Sequence, residues 1–267
     1  MKLAECLSID HEKGDWNGFG IRISRLIVPE FISRIRTSIH QGAILTASYA
    51  HFQTINIVCS SVSARNAFAA LDLVSPDGSA LLWTSRLLGA RFRRENIFGP
   101  EYTMPMLAPA AVSQRWTFYL LGGNAGVASR AAARLRDAFP EINVVGTHHG
   151  HLVSEAELQG VLEEIQRVQP TILLVGMGQP KQEEWIVKNG PLAGAAVIIG
   201  VGGYLDKLSR RSTAYPAWVY RTKLFWLYRL TTEPRQVWRR YTLGAVAFGA
   251  NVWRARRVRT LPTEQRP

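Results

Sequence analysis

Up to about residue 206 the chain alternates short, continuous apolar runs with longer stretches whose apolar positions recur every three or four residues. The runs GAILTAS, TFYLLGGNAG, INVVGTHHG, TILLVGMGQP and AAVIIGVGG predict strands, each ending in a turn. VASRAAARLRDAFP has Ala, Leu and Phe on one side and Arg on the other, which predicts an amphipathic helix. SEAELQGVLEEIQRVQP predicts a second helix, opened by Ser154-Glu155-Ala156-Glu157 at capping-box spacing. KQEEWIVKNG predicts a third, and AFAALDLVSPDG a short element closing in a turn at Pro76-Asp77-Gly78. Strands alternating with helices over this length define an α/β fold, a mainly parallel sheet covered by helices on both faces. There is no internal repeat or low-complexity segment. Residues 1–43 add little, and HEKGDWNGFG reads as a polar loop.

In such sheets ligands bind beyond the carboxyl ends of the strands. Three glycine-rich turns fall at predicted strand ends: Gly122-Gly123-Asn124, Gly176-Met177-Gly178 and Gly200-Val201-Gly202-Gly203. Glycine there lets backbone amides approach a phosphate, and a following helix N-terminus favours negative charge. None of the turns matches the phosphate-loop or dinucleotide fingerprint, so the expectation is a nucleotide-sized site of another kind. Pro180 suits the first turn of a helix, with Gln182 and Glu183 at its mouth. The helix dipole favours a carboxylate there even without a ligand. Gln182 carries both a donor and an acceptor, the equipment for reading a base edge.

The 267 residues can bury a sizeable core, and 47% hydrophobic with 19% charged residues excludes a disordered chain. Cys6 and Cys59 lie far apart and fit no metal-ligand spacing; Cys59 reads as a small core residue. No secretory signal or spanning run is visible, which reads as a cytoplasmic protein.

Charge changes the picture at one end. Residues 1–206 hold 18 basic and 18 acidic side chains, whereas residues 207–267 hold 14 basic and only Glu233 and Glu264. The whole net charge of +12 therefore sits in the last segment, among Trp218, Trp226, Trp238, Trp253 and four tyrosines. From Pro234, the positions Val237, Tyr241, Ala245, Phe248 and Val252 form one helical face flanked by arginines. Two readings stand: a helix lying on an anionic membrane or gripping a phosphorylated lipid, and a helix packed on the main domain with its arginines solvated. Nucleic acid is not expected, because no nucleic-acid motif accompanies the charge. The division expected is residues 1–206 as the nucleotide-binding catalytic domain and 207–267 as a basic appendage.

Other chemistries lack their parts. His148, His149 and His151 are close in sequence, but no convincing carboxylate or Cys completes a metal set. There is no Asp-x-Asp clamp and no G-x-S-x-G elbow. No metal and no cofactor is expected.

LLVGMGQPKQEEW, then VIIGVGGYLD, then WLYRLTTEPRQVWRRY resemble the WecG/TagA/CpsF family of bacterial glycosyltransferases, as do SPDG, YLLGGNAGVASRAAARL and FPEINVVGTHHGHL upstream in the same order. The likeness covers roughly Ile44 to Tyr241. It implies a Rossmann-like core and inverting, metal-independent transfer from a UDP-sugar to a polyprenyl-diphosphate-linked glycan. It also implies peripheral association, through the appendage, with the inner face of the cytoplasmic membrane. A homo-oligomer is compatible with it.

By position, the resemblance makes Asp77 the general base that takes the acceptor's proton, with Thr46 holding the donor or the catalytic group. It places Gln182, Glu183 and Asp206 in the nucleotide-sugar pocket, alongside the turns carrying Gly122, Gly123, Gly176, Gly178 and Gly202. It gives Arg229, Arg235 and Arg239 to the lipid diphosphate, which guanidinium forks suit. The chain departs from the family at Thr46-Ala47-Ser48, at Asn96 to Glu101 (where Arg93 or Arg94 would have to replace a missing arginine), at Ala214-Tyr215-Pro216 and at Phe225-Trp226. These departures imply a divergent branch, in exopolysaccharide assembly with a different sugar. The alternatives are a soluble sugar-nucleotide enzyme and an inactive relative that holds a glycan lipid or partner.

Overall fold

A computed structural model describes residues 9–10, 15–90, 92–210, 216–222, 225–232, 238 and 242–260. Its centre is a six-stranded, all-parallel sheet. Numbering after a small N-terminal sheet of β1 (Ile9–Asp10), β2 (Trp16–Gly18) and β3 (Ile21–Ile23), the strands are β4 (Leu45–Ala50), β5 (Leu73–Pro76), β6 (Thr117–Gly122), β7 (Asn143–His148), β8 (Ile172–Gly176) and β9 (Val197–Gly200). Their order is β5-β4-β9-β8-β6-β7, so all carboxyl ends meet at one edge. The Rossmann-like α/β expectation is borne out.

The strands read as unbroken apolar runs because both faces are covered. Tyr119, Leu121, Leu173, Val175 and Ile198 point into one core layer, whereas Phe118, Leu120, Ile172, Leu174, Val197 and Ile199 point into the other. The first layer is closed by α2 (Phe52–Ser60), α3 (Val62–Ala70), α7 (Glu155–Val168) and α8 (Lys181–Asn189). The second is closed by α1 (Val28–Gln41), α5 (Pro100–Ser113), α6 (Val127–Ala138) and α9 (Tyr204–Ser209). Between β5 and α5 lies α4 (Ser79–Leu87).

The reading of HEKGDWNGFG as a polar loop is corrected over its described residues. Trp16 is fully buried and meets Phe19 and Phe92 edge-on at 5.9 and 5.8 Å. The loop Phe19-Gly20 joins β2 to β3 with φ of 59° and 76°, a two-residue hairpin turn of the mirror-image kind that matches strand twist. Ser24 N donates to Val74 O, docking this hairpin on the β5 edge.

Beyond residue 216 come α10 (Ala217–Thr222), α11 (Phe225–Thr232) and α12 (Leu243–Thr260). α12 lies against α2: Asn56 Nδ2 donates to Gly244 O at 2.8 Å, Asn251 Nδ2 to Asn56 Oδ1 at 3.0 Å, and Phe248 meets Phe52 edge-on. Of the predicted apolar face, Phe248 and Val252 turn toward the domain, as the second of the two readings has it, Ala245 is exposed, and Val237 and Tyr241 lie outside the described residues. The inner face of α12 therefore packs, and its outer face shows Leu243, Val246 and Trp253. Among the described residues no helix is long and apolar enough to cross a membrane.

Candidate active site

The loops after β4, β5, β8 and β9 surround an open cleft of about 940 Å³, and α12 supplies a further wall through Ala245 and Phe248. It lies at the carboxyl edge of the sheet, where the alternation of elements places a ligand site. Asp77 follows the last residue of β5, its amide held by Ala50 O at 2.7 Å. Its carboxylate is packed against Gly99, where an added Cβ would come within 2.8 Å of Oδ2. Glycine at position 99 is thus what leaves room for Asp77 beside α5.

Across the cleft stand Gly178 and Gly202, with φ of 78° and 55° and open space where a side chain would project. Both conformations are left-handed, which only glycine adopts without strain. Gly176 and Gly122 do something else. A Cβ on Gly122 would meet the Gly176 carbonyl at 2.5 Å, and one on Gly176 would press on Gly202 O and Leu205. These two glycines let β6, β8 and the β9–α9 loop pack backbone to backbone. Gly123, with φ of 68°, turns the chain over Val127. The structure brings Gly178 and Gly202 to the cleft and leaves the Gly122-Gly123 turn off its lining.

Gln182 and Glu183 open α8 as the sequence predicts, but their polar groups are turned inward. Gln182 Nε2 donates to Glu183 Oε1 at 2.7 Å, and its Oε1 accepts from Gly202 N at 2.8 Å. Gln182 lines the cleft, but both ends of its amide are engaged within the protein, so it sets the position of the Gly202 loop rather than presenting its amide to a base edge. Glu183 is fully buried and does not line the cleft. Its Oε1 also accepts from Ser48 Oγ at 2.6 Å, while Oε2 is buried with no hydrogen-bond partner among the described residues. Burial raises the Glu183 pKa to about 7, against the lowering effect of its hydrogen bonds from Ser48 and Gln182. Beside it, Gln179 Nε2 donates to Tyr49 O at 2.6 Å and its Oε1 accepts from Thr54 Oγ1 at 2.6 Å.

Thr46 is not brought to the cleft. It is the second residue of β4, near the amino edge of the sheet, and its hydroxyl and amide both donate to Asp72 Oδ2 at 2.8 Å. The strand reaches the site region two residues later, through Ser48. Asn96 is likewise internal, its Nδ2 donating to Arg25 O and Leu26 O.

Asp206, in the first turn of α9, lines the cleft. Lys207 on the same short helix and Arg210 just beyond its end line it too, and neither Arg93 nor Arg94 does. Lys207 Nζ pairs with Glu101, which opens α5 on the Asp77 side. These cations are absent from the sequence reading because they merge into the basic tally after residue 206; their signal is the helical spacing of Gly203, Asp206, Lys207 and Arg210. Arg229 falls in α11, but its side chain, like Arg235 and Arg239 altogether, lies outside the described residues. The histidines also gain something the sequence hides: Glu157, from the first turn of α7, reaches His149.

Residues 16–261 match the model of the glycosyl transferase WecG/TagA/CpsF family. The chain is 30% identical over 200 residues to the N-acetylglucosaminyldiphosphoundecaprenol N-acetyl-beta-D-mannosaminyltransferase of Bacillus subtilis (strain 168), an overlap of 70% of this chain and 76% of the relative. A protein of the same name from Bacillus spizizenii (strain ATCC 23059 / NRRL B-14472 / W23) is 30% identical over 63% of each chain. Another, from Staphylococcus aureus (strain NCTC 8325 / PS 47), is 31% identical over 45% of this chain and 46% of its own.

Proposed function

The chain belongs to the WecG/TagA/CpsF family and is a glycosyltransferase, and on that premise we propose that it moves a sugar from a UDP-sugar to a polyprenyl-diphosphate-linked glycan, with inversion, in surface or exopolysaccharide assembly. The observation that carries the reading is the placing of Asp77 on one wall of the cleft with Gly178, Gly202, Lys207 and Arg210 on the walls around it. The family relatives are named for a mannosaminyl transfer onto a diphosphoundecaprenol-linked sugar, which supports the acceptor class.

In the reaction, Asp77 takes the proton of the acceptor hydroxyl as its oxygen attacks the anomeric carbon. The bond from that carbon to the UDP oxygen breaks, and its electron pair leaves with UDP. Attack from the face opposite the leaving group inverts the configuration. Lys207 and Arg210 offset the charge that grows on the departing diphosphate, and the bare backbone at Gly178 and Gly202 admits the donor closely. Gln182 and Glu183 act by fixing the Gly202 loop. Thr46 supports β4 from the far edge.

Residues 1–206 form the catalytic domain in this reading and 207–267 the appendage that meets the membrane. The exposed Leu243, Val246 and Trp253 support it, with Arg257 stacked 3.5 Å over the Trp253 ring and Arg254 and Arg256 nearby. Apolar and aromatic side chains mixed with arginine suit the headgroup layer of an anionic leaflet. Arg229, Arg235 and Arg239 are assigned to the lipid diphosphate. The protein would then be peripheral, on the inner face of the cytoplasmic membrane.

The test is UDP release from a panel of UDP-sugars, with and without detergent-solubilised lipid-diphosphate acceptors. Acceptor-dependent release is expected with one donor. Absence of UDP binding would overturn the reading.

A further inference from the structure

The geometry points to a transition-metal site formed by His148, His149 and Glu157, at the far end of the carboxyl edge from the cleft. None of the three lines the cleft; they sit where β7, the outermost strand on that side, gives way to α7. One ligand atom from each lies within 4.8 Å of the others. His149 Nε2 and Glu157 Oε1 are 3.3 Å apart, close to the ~3.4 Å edge of a tetrahedron with bonds of about 2.1 Å.

The surroundings prepare each group. His148 Nδ1 lies 2.9 Å from the His149 carbonyl, which can only accept; Nδ1 is therefore the donor, and Nε2 is the nitrogen left to face an ion. Glu157 Oε2 accepts from Val153 N at 2.9 Å, turning Oε1 toward the imidazole. His149 Nδ1 is buried with no hydrogen-bond partner, so the contact of this ring with Glu157 through Nε2 is its polar engagement among the described residues. The two imidazoles lie side by side, centroids 4.3 Å apart. His149 and Glu157 keep about a third and a quarter of their side-chain surface exposed, which gives an ion a path from solvent.

Two imidazoles and a carboxylate suit Zn²⁺, Co²⁺ or Ni²⁺ rather than Mg²⁺ or Ca²⁺, and three protein ligands leave a fourth position for water. The dipole of α7 opposes a cation at this end, and Glu155 beside Glu157 in its first turn offsets that. A bound ion would clip the end of β7 to the start of α7 across residues 149–154. Its role is therefore structural, independent of the sugar transfer.

The test uses tag-free full-length protein titrated with Zn²⁺ by calorimetry, and with Co²⁺ by visible absorption. One saturable site is expected, with the intense d–d bands of tetrahedral Co²⁺ and a Tm raised by Zn²⁺. Glu157→Gln and His149→Ala should each weaken binding roughly tenfold or more, with circular dichroism confirming the fold. The neighbouring His151→Ala should bind as the wild type does. Equal binding by the wild type and both triad variants, loss on His151→Ala instead, or no saturable site overturns the proposal and leaves Glu157 as a helix cap alone.

Discussion

Ser48 Oγ donates to Glu183 Oε1 across 2.6 Å, joining residues 135 positions apart beneath the floor of the cleft. The same oxygen receives Gln182 Nε2, and Gln182 in turn holds Gly202 N. One buried carboxyl thus organises a strand, a helix start and a cleft loop.

That arrangement has a pH signature. The Glu183 pKa is raised by burial to about 7 in the folded state and returns to an ordinary carboxylate value in the unfolded chain. Between about pH 4.5 and 7 the folded protein therefore holds more proton at this site, and stability contributed here falls as pH rises through that window. The free-energy difference between wild type and Glu183→Gln should shift in favour of the wild type as pH is lowered from 8 to 5, by on the order of 1–3 kcal/mol. Urea titrations at both pH values check this. A pH-independent difference would mean that Glu183 keeps one protonation state throughout.

Gln182→Ala should free the Gly202 loop while leaving Asp77 untouched. The expected result is a donor KM raised about tenfold, the effect of losing about 1.4 kcal/mol of positioning, with a smaller change in kcat. Steady-state kinetics across donor concentrations measure it; an unchanged KM would count against the loop's role in donor binding.

Asp77→Asn should lower kcat by about 10²–10⁴ while UDP affinity stays within about twofold. Single-turnover assays and UDP calorimetry read the two halves separately. Normal turnover would remove Asp77 as the base.

Thr46→Val provides the contrast. It breaks the hydrogen bonds of the side chain with Asp72 at the opposite edge of the sheet, at a cost of about 1 kcal/mol in stability. Activity at a temperature well below Tm should match the wild type. A kcat loss comparable to that of Asp77→Asn would restore Thr46 to the catalytic group.

Replacing Leu243, Val246 and Trp253 together by Ser should abolish sedimentation with anionic vesicles and leave UDP affinity in solution unaltered. These side chains face away from α2, so the packing through Phe248 and Val252 is preserved. Unchanged sedimentation would place the membrane contact elsewhere on the chain.

The sheet was legible because strands buried on both faces leave continuous apolar runs, with glycine marking their ends. Other elements hid for definite reasons. Trp16 and Phe19 stand among polar residues, and their burial follows from a hairpin closed by a left-handed Phe-Gly pair. α5 contains Pro105 and Pro109, which mask a helical period. At the site, the Gly178 and Gly202 turns were legible from strand ends and turn chemistry, whereas Asp77 read as a turn residue on those grounds and as a site residue only through the family resemblance. Thr46 was given to the site by its match to the family's strand-end threonine alone, and an apolar run does not say which of its residues lies at the carboxyl end; pairing of Thr46 with Ile198 puts it near the beginning. Glu157 escaped because its capping-box position already accounted for it.

The docking of α12 on α2 bears on when the protein can work. Phe248 and Ala245 complete the cleft, yet they belong to the element synthesised after every other described one. During translation the sheet, Asp77 and the glycine loops can all fold while this wall is still absent. A nascent chain exposed only as far as α9 would therefore have an unfinished cleft, and docking of α12 on α2 would couple the emergence of that helix to the onset of activity.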